Sequence, residues 1–212
     1  MIDAVEIELG RDELALEHFF ESDIVLENHR VKLAPFSAAY EDEIATLLMD
    51  EEITRYTQQH ITNRDDAANY VKRAMQGRID RLAYPFIVID KRDNKAAGST
   101  RLGNINFSNK RLEIGWTWYG KAYRGTGINE ACKFELLNYA FETMGFNRVQ
   151  FSVDAENVRS QRAVVKLGAI QEGIFRHNYM NALGECRDDI YFSIIRTEWP
   201  EIKRLKFRDY EV

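Results

Sequence analysis

The sequence predicts a mixed α/β domain of the α+β class, and three observations support this prediction. Strand-like segments at 86–89, 96–107 and 111–119 are joined by short polar turns, which is the pattern of an antiparallel meander. A long helical segment, Asn129 to Met144, comes next. A further strand-like segment at 148–153 then follows, and this strand–helix–strand order predicts one right-handed parallel pair in a mostly antiparallel sheet.

The segments before the meander predict two short strands and two helices. The strands occupy 24–33 around a tight turn. Ser37 is placed to cap the first helix, which runs to Met49. Thr62 opens the sequence Thr-Asn-Arg-Asp, which resembles a capping box, and the second helix follows it.

The segments after the meander predict a second helix and a final hairpin. Gly145 is expected to end the long helix as a C′ glycine, and Gly168 is expected to close a shorter helix at 158–167. The strands of the hairpin occupy 169–180 and 185–195. These two strands would complete the sheet.

Length and composition favour one domain with ordinary surface chemistry. The chain has 212 residues, of which 45% are hydrophobic, and no internal repeat or Pro/Gly-rich linker divides it. We expect an N-terminal extension over 1–23, a domain over 24–199 and a C-terminal tail over 200–212. The net charge of -5 argues against a nucleic-acid partner, because binding to phosphate backbones relies on positive charge.

The cysteines and the N-terminus indicate a reducing compartment. Cys132 and Cys186 lack metal-ligand spacing, so we expect reduced thiols, no metal site and a cytoplasmic protein. No run of about 18 apolar residues occurs, and the N-terminus lacks the features of a signal peptide, so no membrane association is expected. The oligomeric state stays open, a homodimer included.

A glycine-bearing turn between the last meander strand and the long helix is the main functional signal. It reads Arg124-Gly125-Thr126-Gly127. Glycine allows positive φ, and free N–H groups at a helix N-terminus attract phosphate, so the turn predicts a site for the pyrophosphate of coenzyme A. A ligand-free turn explains Gly-x-Gly equally well. Rossmann and Walker loops are excluded, because the third glycine position holds Glu130 and no Gly-Lys-Ser/Thr follows.

The order of elements resembles the fold of the Gcn5-related N-acetyltransferases, the GNAT superfamily, and two motifs agree with it. The first is the turn, which meets the signature Gln/Arg-x-x-Gly-x-Gly/Ala except for Ala122 at its first position. The second is Asn157-x-x-Ser160 with Leu-Gly and Glu-Gly downstream, which is similar to the RimJ/RimL branch that acetylates N-termini of ribosomal proteins. The resemblance covers about 24–199 and implies a sheet whose two parallel strands splay apart.

This resemblance implies that acetyl-CoA is the cosubstrate and lies where the strands part. Its amide-bearing pantetheine arm would satisfy backbone groups that the splay leaves unpaired. The residues implied to bind it are Trp118 and Tyr119 through their backbone, Arg124, Gly125, Thr126, Gly127 and Ile128 around the pyrophosphate, Asn157 at the pantetheine and Ser160 near the sulfur.

Transfer to an amine needs a group that accepts the ammonium proton. Glu113 is the first candidate, since a glutamate at the comparable place in the same strand is the base of the histone-acetylating members. An ordinary glutamate at a strand edge explains it equally well. Glu172 is the second candidate, while His177 and Tyr179 are expected near the acceptor. Some ribosomal-protein acetylators use a carboxylate near the position of Tyr179 as the base. Because this chain has a tyrosine there, their mechanism does not transfer intact.

The leaving thiolate needs a proton donor. Many family members place a tyrosine four residues after the small residue of the Asn-x-x-Ala motif, but that position here is Val164. Ser160 is therefore the candidate acid or hydrogen-bond donor to the sulfur, and local bonding within its helix is the alternative. A backbone N–H near Trp118 is expected to polarise the thioester carbonyl.

Aromatic residues either line the acceptor pocket or belong to the core, which is the commoner role of aromatic residues at strand spacing; they are Tyr56, Trp116, Trp118 and Tyr179. Period-two spacing places Ile114, Trp116 and Trp118 on one face of their strand. The segment 53–56 either forms a wall of this pocket, with Tyr56, or merely connects two helices.

Three functions remain in view. The leading hypothesis is transfer of an acetyl group from acetyl-CoA to a primary amine, on a protein N-terminus or a small molecule, by direct attack in a ternary complex. The first alternative is a non-catalytic acyl-CoA-binding module that acts through a partner protein. The second is a structural subunit in which the glycine turn holds no ligand.

Overall fold

A twisted sheet runs through the computed structural model, which describes residues 14–210. Neighbouring strands follow the order β1-β2-β3-β4-β5-β6-β8-β7, and each neighbouring pair is antiparallel except β5 and β6. The predicted fold class is confirmed. The strands are β1 (Leu26–Glu27), β2 (Val31–Pro35), β3 (Ala83–Asp90), β4 (Lys95–Asn106), β5 (Arg111–Tyr119), β6 (Arg148–Asp154), β7 (Ile170–Met180) and β8 (Cys186–Ile195).

Helices cover both faces of the sheet. A π turn, Tyr139–Thr143, extends α5, and Gly145 follows with a φ of 66°, as predicted for a C′ glycine. Residues 14–21 form α1, and the later helices are α2 (Glu41–Leu48), α3 (Glu51–Thr54), α4 (Arg64–Ile79), α5 (Ile128–Asn138), α6 (Val158–Lys166) and α7 (Trp199–Lys206).

Two predicted helix caps are wrong in detail. The side chain of Ser37 makes no capping hydrogen bond, and a short 3-10 turn separates it from α2. At α4 the cap is Asn63, whose side chain accepts from the N–H of Asp66. Thr62 instead donates through its N–H and its hydroxyl to the Asp66 carboxylate. The cap moves by one residue at α4, and α2 begins four residues after Ser37, which is the usual uncertainty of a boundary read from sequence.

The buried strand β3 separates two hydrophobic cores. Phe86 and Val88 face the core under α5, while Ile87 and Ile89 face the core under α2 and α4. This alternation follows from the period of two along a strand. The sheet is therefore covered on both sides, and any ligand has to enter at an opening within it.

That opening lies between β5 and β6. Their parallel ladder contains three residue pairs and ends at Glu113 with Gln150. Beyond that pair, β6 stays bonded to β8 and β5 stays bonded to β4, so the two strands diverge. The splay implied by the family resemblance is present, and it leaves facing edges of backbone without a sheet partner.

A bulge in β5 overturns one sequence prediction. Trp116 has a φ of 51°, and the register with β4 shifts around it. The three residues therefore do not share one face: Trp116 is 48% exposed, Ile114 is buried in the core under α5, and Trp118 is buried in the core under α2 and α4. Its indole lies over Gly103, where a Cβ would come within 2.6 Å of the ring.

Both flanks of the predicted domain pack on its core. Phe19 lies edge-on to Tyr84, with ring centroids 5.3 Å apart. At the other end, the ring of Phe207 lies 5.6 Å from that of Phe134 on α5, and Tyr210 stacks on His29. The predicted extension and tail therefore include core residues, while residues 1–13 and 211–212 lie outside the described part.

Candidate active site

The opening between β5 and β6 widens into a cavity of about 820 Å³. It runs from the glycine turn at the start of α5, past the edges of the diverging strands, to the β7–β8 hairpin. The two ends of this cleft differ in character, and we call them the donor half, at the glycine turn, and the acceptor half, at the hairpin.

The glycine turn has the backbone geometry that the sequence predicted. Gly125 has a φ of 73° and Gly127, the N-cap of α5, a φ of 84°. No acceptor within the described residues takes the N–H groups of residues 125–130. The N-terminus of α5 adds positive potential at the same point, so the turn presents a cluster of free donors suited to an anion.

The side chain of Arg124 is committed to the protein. Its guanidinium donates to Asp50 at 2.8 Å, to Glu52 at 2.5 Å and to the carbonyl of Tyr119 at 2.9 Å. These bonds fasten the turn to α3. A phosphate at this position would therefore contact the backbone of the turn, while the side chain holds the turn in place.

Thr126 is anchored in a similar way. Its hydroxyl donates to the carbonyl of Tyr123 at 2.7 Å and accepts from the Arg30 guanidinium at 3.2 Å. Arg30 is itself ion-paired with the fully buried Asp90. This chain of contacts ties the glycine turn to the end of β3 and fixes it before any ligand binds.

Trp118 and Tyr119 lie where β5 borders the gap. The next residue, Gly120, donates its N–H to Ala97 of β4, so alternation directs the backbone of Tyr119 toward the gap. The Tyr119 carbonyl is taken by Arg124, which leaves its N–H for a ligand. The Trp118 indole is buried and donates to the Tyr70 hydroxyl at 2.9 Å, and the same alternation directs its backbone toward β4, so the backbone contact expected from this strand end is left to Tyr119.

Asn157 and Ser160 line the cavity at the start of α6. The Asn157 Oδ1 accepts from the N–H of Ser160 at 3.1 Å, so Asn157 caps the helix. The Asn157 Nδ2 and the Ser160 hydroxyl have no partner within residues 14–210, and both remain free to bond a ligand. Val164 also lines the cavity, at the position where the resemblance would place a tyrosine.

Glu113 stands at the point where the strands part. It is only 6% exposed, and its Oε2 accepts from Asn104 at 2.9 Å and from Gln150 at 3.0 Å. Its Oε1 lies beside Gly115, where a Cβ would meet it at 3.2 Å. Glu113 is therefore a buried carboxylate that lines the cavity with one oxygen unbonded, which is not the environment of a surface glutamate.

Asp189 is a second buried carboxylate of the cavity, and the sequence analysis missed it. It is 8% exposed, accepts from Asn178 at 2.8 Å and forms no ion pair with a described residue. Burial raises its pKa. Its neighbour across the ladder, Asp154, has the opposite environment, because Arg187 binds both of its oxygens and keeps its pKa low despite burial.

The other candidate bases differ in position. Glu172 is bound by Arg148 at 2.5 Å and by Ser193 at 2.9 Å, which lowers its pKa, and it does not line the cavity. His177 is exposed on β7 and is also outside the lining. Tyr179 does line it, but its hydroxyl donates to Asp154 at 2.5 Å, and burial together with that carboxylate raises its pKa.

Two segments cover the acceptor half: α3 with the connection that follows it, and the β7–β8 turn. Ile53, Thr54 and Tyr56, from the segment predicted as a pocket wall, line the cavity. The N–H of Ala182, in the β7–β8 turn, donates to the carbonyl of Thr57 at 3.3 Å. The hairpin and the connection between α3 and α4 therefore meet across the mouth of the acceptor half.

A metal centre finds no support in the described chain, where His, Cys, Asp and Glu side chains form no cluster of three or more suited to a metal ion. None of the helices within residues 14–210 is both long and apolar enough to cross a membrane.

Comparison with known proteins gives a consistent result. Residues 30–170 match the family model described as an acetyltransferase (GNAT) domain. A Bacillus subtilis (strain 168) protein named "Putative ribosomal N-acetyltransferase YdaF" is 33% identical over 108 residues, which are 50% of this chain and 57% of that relative, less than two thirds of its length. "Uncharacterized N-acetyltransferase p20" of Bacillus licheniformis is 25% identical over 82% of this chain and 97% of its own.

Solved structures agree with the sequence relatives. A GCN5-related N-acetyltransferase from Brucella melitensis superposes with a TM-score of 0.80 and 26% identity, covering 86% of this chain and 83% of that one. The resemblance predicted from the glycine turn and the Asn-x-x-Ser motif is thus confirmed. Because the family model matches more than half of this chain, the chain belongs to the GNAT family of acetyltransferases.

Proposed function

We propose that the protein transfers an acetyl group from acetyl-CoA to a primary amine by direct attack in a ternary complex. One observation carries this proposal. The cleft runs from free amides at residues 125–130 to two buried carboxylates, Glu113 and Asp189. The first end suits a pyrophosphate and the second suits an ammonium group, and membership of an acetyltransferase family supports acyl transfer between them.

The donor half fits acetyl-CoA in its polar groups. The amides of residues 125–130 suit the pyrophosphate, and the free edge of β5, with the N–H of Tyr119, suits an amide-bearing pantetheine arm. The Nδ2 of Asn157 is a further donor on the opposite wall. Acetyl-CoA would supply the activated thioester, and the chain would hold it in one orientation.

Glu113 is our proposed base. Two amide donors hold its Oε2 in place, and its unbonded Oε1 can accept the proton of the incoming ammonium directly or through one water. Asp189 is the second candidate, because its raised pKa brings it closer to the range useful for proton transfer. In either arrangement the other carboxylate attracts the ammonium group.

Two further groups complete the proposed reaction. The bulge at Trp116 takes backbone N–H groups of β5 out of the ladder with β4, and one of them would polarise the thioester carbonyl. The unbonded hydroxyl of Ser160 would donate to the departing sulfur. Both donors belong to walls that border the gap.

The acceptor is proposed only as a class. The name of the relative YdaF supports a protein N-terminus, and the covered acceptor half supports a small amine as well. We infer that the reaction takes place in the cytoplasm. The free thiols of Cys132 and Cys186 support that inference, because thiols persist in a reducing compartment.

Thiol release tests the proposal. Purified protein would be incubated with acetyl-CoA and a panel of small amines and peptide N-termini, and free CoA would be measured with a thiol reagent. Acetyl-CoA alone should also raise the melting temperature, because a ligand that binds only the folded state stabilises it.

The outcomes separate the three functions. Thiol release that depends on an amine supports the enzyme. A rise in melting temperature with no thiol release across the panel would favour the binding module. No rise at millimolar acetyl-CoA would mean that the glycine turn holds no coenzyme A, and the proposal would fail.

A further inference from the structure

Arg101 is a partly buried arginine without a counter-ion in the acceptor half. It lies on β4 opposite Gly115 of β5, and it lines the cavity. Its Nε is inaccessible to solvent and has no hydrogen-bond acceptor. No aspartate or glutamate within residues 14–210 forms an ion pair with its guanidinium.

Most other partly buried arginines of residues 14–210 do have such partners. Their guanidinium groups pair with carboxylates, as expected because an uncompensated charge is costly away from water. The pairs are Arg30 with Asp90, Arg124 with Asp50 and Glu52, Arg148 with Glu172, and Arg187 with Asp154 and Glu156. Arg101 and Arg111 form no ion pair within the described residues, and of these two only Arg101 lines the cavity.

One aromatic ring holds the Arg101 side chain in place. The guanidinium carbon lies 5.2 Å from the ring centroid of Tyr70, and the Tyr70 hydroxyl is fixed by a hydrogen bond from Trp118. The face of an aromatic ring attracts a cation but accepts no hydrogen bonds from the edge of the guanidinium fork. The edge donors therefore remain available to a planar anion.

We propose that Arg101 binds a carboxylate group of the acceptor, so that the preferred acceptor is an amine that also carries a carboxylate. The guanidinium fork matches a carboxylate in a two-pronged geometry. Glu113 and Asp189 line the same cavity and suit the amine of the same molecule. This inference rests on the proposed function and deepens it by naming the substrate class.

The phosphates of acetyl-CoA do not explain Arg101. Arg101 pairs with Gly115, four residues before Tyr119 at the end of β5. An extended stretch of this length spans up to roughly 13 Å, less the shortening caused by the bulge at Trp116, and the glycine turn follows Tyr119 in the chain. The proposed pyrophosphate site and Arg101 are therefore separated along β5.

Matched acceptor pairs test the inference in the thiol-release assay. Each pair differs only in a carboxylate against a carboxamide: ω-amino acids of increasing length against their amides, and peptides with a second-residue Glu against Gln. The wild-type protein should prefer the carboxylate member of at least one series by about tenfold or more in kcat/KM, the effect of one charge-assisted bidentate contact. The series that shows the preference identifies a free amino acid or an acidic peptide as its source.

Substitutions then assign the preference to one residue. Arg101→Gln should abolish the preference for the carboxylate member by raising KM for that member. Its kcat/KM for the amide member should change less than about threefold. Arg101→Lys keeps the charge without the fork and should retain part of the preference. Arg64→Gln, which removes an exposed charge from α4, is the matched control and should leave the preference unchanged. Melting temperatures would show that each variant folds.

Binding of products gives a readout that needs no turnover. N-acetylated amino acids and their amides would be titrated calorimetrically into the protein saturated with CoA. Tighter binding of the carboxylate in the wild type, lost in Arg101→Gln, supports the inference even if the amine panel is poorly turned over. Equal affinity for both members of every pair, or a preference that survives in Arg101→Gln, overturns it, whereas absent CoA binding would overturn the proposed function itself.

Discussion

The two halves of the cleft are built from different parts of the chain. The donor half consists largely of backbone: free N–H groups at residues 125–130 and the open edge of β5 beyond Glu113. The acceptor half consists of side chains contributed by separate elements, among them Arg101 from β4 and Asp189 from β8. In the proposed function, the donor half would recognise a shape common to all coenzyme A thioesters, and the acceptor half would recognise one acceptor.

This difference explains where each half can tolerate change. A backbone site is lost only when its φ and ψ angles change, so its sensitive positions are the glycines. A side-chain site is lost whenever a charge or a hydrogen-bonding group is removed, so its sensitive positions are scattered along the sequence. We therefore expect substitutions in the donor half to act on coenzyme A affinity and those in the acceptor half to act on turnover and acceptor choice.

The largest effect is expected for Glu113→Gln in the acceptor half. This change keeps the size of the side chain but removes the proton acceptor, so kcat should fall by about 10²–10⁴-fold, the contribution of a general base. Asp189→Asn should lower kcat less than Glu113→Gln does, and it should act mainly on KM for the amine. Initial rates of thiol release at saturating acetyl-CoA would measure both.

Controls decide between the two carboxylates. Glu172→Gln removes a carboxylate outside the cavity and should leave kcat nearly unchanged. If Asp189→Asn shows the larger loss of kcat, the base is Asp189 and Glu113 instead attracts the ammonium group. If neither variant loses more than about tenfold, neither carboxylate is the base, because general-base catalysis contributes more than that.

A smaller effect, confined to the donor half, is expected for Gly127→Val. Its φ of 84° strains a β-branched residue by about 1–3 kcal/mol, and the added methyl groups would crowd the phosphate site. Acetyl-CoA affinity should fall by roughly 10–100-fold with little change in acceptor KM. Calorimetric titration with acetyl-CoA would measure it.

Gly145 provides the matched control for that strain. It has a φ of 66° at the end of α5, away from the cleft, and a Cβ there would meet only Arg196 at 3.6 Å. Gly145→Val should lower the melting temperature without weakening the binding of acetyl-CoA. Equal affinity losses in both variants would show that the effect is global destabilisation rather than damage to the phosphate site.

The same contrast explains what could be predicted from the sequence. Positive φ is a local property of glycine, so the turn at Gly125 and Gly127 and the helix ends at Gly145 and Gly168 were predictable one position at a time. The order of elements was predictable because strand and helix periods differ. Together these features locate the donor half.

The acceptor half could not be predicted in the same way. Asp189 and Arg101 stand out because neither forms an ion pair within residues 14–210, and the absence of a charged partner is a property of the folded chain that no spacing rule reports. The predicted position of Trp116 was wrong for a related reason. The period-two rule assumes an unbroken ladder, and a bulge at a non-glycine residue has no sequence signal of its own. Glu113 was found through family resemblance, and its burial between Asn104 and Gln150 is tertiary information.

Ser160→Ala tests a residue on the border between the halves. Loss of the hydroxyl should lower kcat by about tenfold, because one hydrogen bond to the departing sulfur is worth about 1 kcal/mol or somewhat more, while KM for acetyl-CoA should stay within about twofold. Steady-state kinetics at varied acetyl-CoA would separate these effects. Equal losses in kcat and in affinity would indicate a role in binding alone.

The smallest effect on turnover is expected at Lys133, a residue of α5 that lines the cavity. The residue is 4% exposed, and its ammonium has only hydroxyl partners within the described chain, Thr117 at 2.6 Å and Thr100 at 3.3 Å. Burial lowers its pKa to about 8. The two threonines also bond each other at 2.8 Å, so neither loses its last partner if the lysine is replaced.

The pH dependence of stability follows from that shift. Between pH 8 and the ordinary lysine value of 10.5 the unfolded chain binds more protons at this position than the folded chain does, so the free energy of unfolding rises with pH across this range. Below pH 8 the folded state bears the full cost of the buried charge. Lys133→Met should therefore stabilise the protein at pH 7 by on the order of 2–3 kcal/mol, and this gain should shrink toward pH 10. Urea denaturation at several pH values would measure it, with the exposed Lys72→Met as control. A gain independent of pH would attribute the effect to packing rather than to the buried charge.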